Sequence, residues 1–146
     1  MHKGKLMLAL SAMAAGLAPA MLAAETGETD IWAGIFTQEQ VDRGQALYEQ
    51  NCASCHGREL VSSDADIPTL TAPAFRWSWQ MHTLAERFER ISTTMPPGAN
   101  GSLSDQEYVD IITYILNFNG YPAGEQELTP DVERFEQIKL TLKPAD

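Results

Sequence analysis

Cys52 and Cys55 are the only cysteines among the 146 residues, and His56 follows the second directly in "NCASCHG". Whatever holds this stretch sets the fold around it. A disulfide over so short a step closes a tiny loop and adds little stability. A thioredoxin-like redox pair needs its first cysteine at a helix start beside strands, whereas Cys52 comes at the end of a helical pattern in a chain with almost no strand signal. Zinc finds four donors in Cys52, Cys55, His56 and His82, but adjacent Cys55 and His56 are awkward neighbours on one metal. Covalent haem meets all the demands together. Two thiols about one helical turn apart each join a vinyl group, and the next imidazole is directed at the iron. The spacing therefore predicts one haem c, attached through Cys52 and Cys55, with His56 as its proximal ligand.

The second axial position separates an electron carrier from a ligand-binding haem protein. Met81 falls on the apolar stripe of an expected helix, which makes it core filler. Met95 precedes Pro96-Pro97-Gly98, a stiff irregular loop able to hold a thioether against a metal, and it is the expected sixth ligand.

The start, "MHKGKLMLALSAMAAGLAPAMLAAETGETD", has basic residues, an apolar run and small residues in signal-peptide order. Cleavage after Ala20 or after Ala24 both fit, and a retained anchor is the alternative, diluted by Ser11, Gly16 and Pro19. With 24 residues removed, 122 remain, enough for one domain. Lys3 and Lys5 leave with the leader, so 8 basic side chains face 20 acidic ones and the formal charge becomes −12. That balance argues against nucleic acid and suits a basic partner surface. The expected compartment is the periplasm, with no membrane span once the leader is cleaved.

Residues 25–36 form an expected arm, with Trp32, Ile35 and Phe36 against the body. Thr37 and Gln40 have capping-box spacing, and Val41, Gly44, Tyr48, Cys52 and Cys55 make one helical face. Gly44 inside a helix implies a close helix crossing. Residues 57–79 read as a long loop, "WQMHTLAERFERIST" as an amphipathic helix including Met81, and "TMPPGANGS" as loop. Ser104 and Glu107 open a further helix ending at Gly120 and Pro122. Thr129, Pro130 and Asp131 look like the cap, first residue and acidic first turn of a short last helix, and the "IKLTLK" beyond is extended.

Taken together, "RGQALYEQNCASCHG", "IPTL", "TMPPG" and "YVDIITYIL" resemble the class I c-type cytochromes over residues 37–120, with 121–146 as an extension packed on that domain. The resemblance implies an all-α fold of three main helices and a short C-terminal one around the haem. It places Gly44 and Tyr48 near Ile111 and Tyr114, gives the Pro68 carbonyl the role of acceptor for the His56 imidazole, and puts Leu70 against the haem. The family commonly has further glycine between His56 and Pro68, and "LVSSDADIP" has none. Arg58, Arg76, Trp77 and Trp79 are candidates for the haem propionates and equally fit as solvated charges or rim aromatics.

More narrowly, "FTQEQVDRGQALYEQNCASCHG" together with "YVDIITYILNFNGYPAGEQELTPD" looks like the small cytochromes, and fused cytochrome domains, that accept electrons from pyrroloquinoline-quinone (PQQ) dehydrogenases of alcohols and sugars. The expected function is a one-electron carrier, not itself an enzyme, that passes electrons from such a dehydrogenase to an oxidase or second cytochrome of the respiratory chain. The alternatives are a tightly bound subunit of a larger dehydrogenase or oxidase, and a haem protein in which Met95 leaves and a small molecule binds.

Overall fold

The first and last long helices cross where glycine lets them touch. Helix α1 (Gln38–Asn51) packs across α5 (Asp105–Phe118), and a Cβ on Gly44 would lie 1.9 Å from the carbonyl oxygen of Asp110 and 3.1 Å from Cβ of Tyr114. Gly44 thus meets Asp110 and Tyr114, Tyr48 packs on Tyr114 with ring centroids 5.3 Å apart, and Ile111 lines the cleft described below together with Tyr48. The computed structural model describes residues 29–143, and the expected leader, with both expected cleavage positions after Ala20 and Ala24, lies outside them.

Thr37 caps α1 by accepting from the Gln40 amide at 3.2 Å, but Gln40 does not close the expected box. Its amide group is buried and spans instead to Asp110 (3.0 Å) and to both backbone groups of Leu128 (2.6 and 2.8 Å), which have no water to turn to. In α5 the Ser104–Glu107 box is complete. After α1 the chain breaks at Cys52 and resumes as the single turn α2 (Ala53–His56).

Two expectations about the middle of the chain are corrected. Residues 57–79 are not loop throughout, because α3 (Ala74–Trp79) fills their end, held by Phe75 stacked on Trp79 with ring centroids 4.9 Å apart. So short a helix owes its stability to tertiary packing and leaves little periodic trace. Met81 does not belong to the next helix. A complete Thr83–Glu86 capping box starts α4 (Leu84–Thr94) later, and Met81 stands in the turn before it at φ 71°, 95% exposed. It is not core filler.

The last helix, α6 (Val132–Glu136), is capped by Asp131, whose carboxylate accepts from the Arg134 amide at 3.0 Å, so Thr129 and Pro130 precede the helix. Phe135 packs edge-on against Phe88 of α4. Beyond α6, β2 (Ile138–Lys139) pairs in parallel with β1 (Thr29–Asp30), in register Thr29 to Ile138. In the arm, Ile35 and Phe36 are buried and Trp32 stacks on Tyr121 at 4.4 Å. Among the described residues no helix is long and apolar enough to cross a membrane.

Candidate haem-binding site

Helices α1, α4 and α5, with α3 and the 57–73 loop, enclose a cleft formed by two adjoining cavities of about 390 Å³ each. Both are lined by Cys52, His56, Pro68 and Met95. The inner one continues among Leu70, Trp79, Ile91, Ile111 and Ile115, and the outer one opens past Cys55, Ile67 and Pro97. Such volumes and apolar walls suit a large flat cofactor.

Cys52 and Cys55 are not joined to one another. Burial, and next the neighbouring Cys55, push the Cys52 thiol up to about 11. That is the reverse of the lowered value that marks the attacking cysteine of a redox pair. His56 Nδ1 lies 2.9 Å from the carbonyl oxygen of Pro68. A carbonyl only accepts, so Nδ1 carries the proton and Nε2 keeps a free lone pair, the tautomer a metal requires. His82, the fourth donor of the zinc alternative, bonds Glu86 at 3.0 Å and lines neither cavity.

Met95 is the C-cap residue of α4. Its amide donates to the Ile91 carbonyl (2.9 Å) and its carbonyl accepts from the buried Tyr108 hydroxyl (2.8 Å). Leu70 is fixed at both ends as well, its amide to the Leu60 carbonyl (2.7 Å) and its carbonyl from Asn119 Nδ2 (2.9 Å). The Tyr48 hydroxyl donates to the Gly57 carbonyl (2.8 Å) and so fastens the end of α2 to α1. Where the family commonly has further glycine, Leu60 itself adopts φ 58°, and its fully buried side chain holds it there.

Tyr108, Asn119 and Leu60 went unnamed at the sequence level, since each acts through a backbone contact far along the chain. Of the four propionate candidates only Trp79 lines the cleft, while Arg58 and Arg76 are exposed and Trp77 is 85% exposed. The basic groups that do line it are Arg87 and Arg90, and Arg87 Nε is buried without a partner. Their spacing was the available signal. Arg87, Arg90, Ile91 and Thr94 fall on one helical face, and all four line the cleft.

Residues 39–115 match the sequence model of the family described as "Cytochrome C oxidase, cbb3-type, subunit III". The chain belongs to this family. It is a class I c-type cytochrome domain, mostly helical, with one covalently bound haem c. The thiosulfate dehydrogenase of Allochromatium vinosum is 37% identical over 79 residues, covering 50% of this chain and 29% of that one. The thiosulfate dehydrogenase of Stutzerimonas stutzeri is 27% identical over 99 residues, covering 64% of this chain and 32% of that one. This cytochrome therefore spans less than a third of the length of these curated relatives. The crystal structure of the sulfane dehydrogenase SoxCD from Paracoccus pantotrophus is similar with a TM-score of 0.50 and 25% identity, over 93% of this chain and 68% of that one.

Proposed function

We propose that this cytochrome is a periplasmic one-electron carrier in which Cys52 and Cys55 hold the haem as thioethers and His56 and Met95 are its axial ligands. The observation that carries this reading is the His56 to Pro68 bond at 2.9 Å in a cleft that Met95 also lines. The bound haem supplies the Fe(III)/Fe(II) couple. The chain orients the imidazole through Pro68, presents the thioether of Met95 from a doubly anchored backbone, and excludes water with an apolar wall. His/Met ligation and burial both favour the less charged Fe(II) state and so raise the potential.

On the sequence resemblance, the donor is a quinoprotein (PQQ) dehydrogenase of alcohols or sugars, and the electrons go on to the respiratory chain. A second reading is favoured by the names of the relatives: a bound electron-transfer module of an enzyme that oxidises sulfur compounds. Size-exclusion of a native extract separates a free carrier from a stable subunit, and capture from periplasm on the mature holoprotein identifies what reduces it. N-terminal sequencing of the fractionated protein checks the compartment and the cleavage position.

The haem assignment has its own test. After denaturation and acid-acetone extraction the mature protein should keep its red chromophore and the added mass of one haem, and free haem in the extract would overturn it.

A further inference from the structure

We propose that Arg87, with Arg90 one turn further along α4, is the seat of the haem's carboxylates, so that the propionate edge of the cofactor lies at the seam of α3 and α4. The proposal rests on the haem assignment above.

The first ground is an unmet hydrogen bond. Arg87 donates one guanidinium N–H to the Ser78 carbonyl at 2.7 Å, which ties α4 to α3, while its Nε is buried with no acceptor. A charged group's donor left buried without an acceptor costs more than a neutral one. The second ground is charge. Arg87 and Arg90 line the same cleft three residues apart and neither makes an ion pair among the described residues. The acids of α4 form no ion pair with them: Glu86 and Glu89 line a separate pocket with Val132 and Glu136, and Glu86, held by the Thr83 amide and His82, offsets only part of the Arg87 surroundings. Burial, and then the neighbouring Arg90, hold the Arg87 guanidinium below its ordinary value, which an anion between the two would relieve.

The third ground is the shape of the cofactor. A haem has its vinyl groups and its two propionates on different edges, and the propionates are its only anionic substituents. Cys55 lines the outer cavity alone, Arg87, Arg90, Ser78 and Trp79 line the inner cavity alone, and Cys52, His56 and Met95 line both. With the vinyl edge at the cysteines, the opposite edge falls in the inner cavity, on the side away from Cys55 where the arginines stand. Arginine is the side chain suited to this task, because its planar fork pairs two N–H groups with one carboxylate.

The test uses the holoprotein and reads the midpoint potential, after the visible spectrum and retained haem have shown that each variant matured. A guanidinium near the haem favours Fe(II), so Arg87→Gln should lower the potential, Arg87→Lys should restore most of it, Arg90→Gln should lower it less, and Arg76→Gln, on the exposed side, should leave it unchanged. A merely structural role would not be rescued by charge. Equal potentials in wild type and Arg87→Gln, or an equal fall in Arg76→Gln, would overturn the proposal. Should Arg87→Gln fail to mature, Arg90→Gln decides it: a fall absent from Arg76→Gln supports the assignment and no fall rejects it. Sulfate added to the wild type distinguishes fixed carboxylates from a free oxyanion, since a saturable shift in potential would mean that the arginines take the latter. Failure of the haem assignment is recognised separately, as a wild-type protein without covalent haem.

Discussion

Met95 and Met81 have the same side chain and opposite surroundings. Met95 is pinned through its own amide and carbonyl to Ile91 and Tyr108 at the cleft, whereas Met81 stands almost wholly in solvent. Met95→Ala should therefore open the iron to cyanide or carbon monoxide at a much greater rate and lower the potential. Met81→Leu should change neither, and its effect on stability should stay within about 0.5 kcal/mol, as for other surface substitutions. Ligand-binding kinetics and thermal melts measure both, and loss of sulfur ligation in the Met81 variant would reverse the assignment. Spacing singles out Cys52, Cys55 and His56, and the prolines after it single out Met95, and all four line the cleft. Pro68 came from the family resemblance. Tyr108 and Asn119 were not legible, because nothing in "EYVDII" or "NFNGY" tells which distant carbonyl a hydroxyl or amide will find.

At the scale of elements, boundaries set by a cap were easier to read than those set by packing. Ser104 and Glu107 announce α5, and the bond made there has a pH signature. Hydrogen bonds from the Ser104 amide first, and then from its hydroxyl, hold the Glu107 carboxyl below the usual carboxylate range. A depressed folded value means that the charged form stabilises the fold above the unfolded value of about 4.3, and that this contribution is lost as pH falls through the lower folded one. Glu107→Gln should melt below wild type at pH 7, and the difference should shrink in the acid range. A gap that is constant down to pH 3 would assign the effect to side-chain shape alone. Helix α3 and the start of α6 gave weaker signals: Phe75 and Trp79 are helical because they stack in the core, and Asp131 replaced Thr129 as cap through a local preference that the sequence expresses equally at both. Gln40 shows the competition directly, since the partner its spacing suggested lost to the buried needs of Leu128 and Asp110.

Across the whole molecule, the two ends of the described residues close on each other through β1 and β2, a pairing of residues more than a hundred positions apart that no local pattern could disclose. The charge distribution was only half legible. Composition gives the excess of acid, but the cleft holds two arginines, while Glu86 and Glu89 of the same helix face elsewhere. With those arginines neutralised by haem carboxylates, the field seen by a partner is that of the acidic surface, formally −12 on the chain without its first 24 residues. A brief electron-transfer encounter buries little area, below about 1,200 Å² in total, so such a field acts mainly on the rate of association. For a donor with a basic rim around its redox site, the second-order rate of reduction should fall as ionic strength rises from about 0.01 to 0.15 M, where the screening length shrinks from about 30 to 8 Å. Stopped-flow reduction by the captured partner measures it. A rate that is flat or rises with salt would remove steering from the account and leave the acids with solubility as their task.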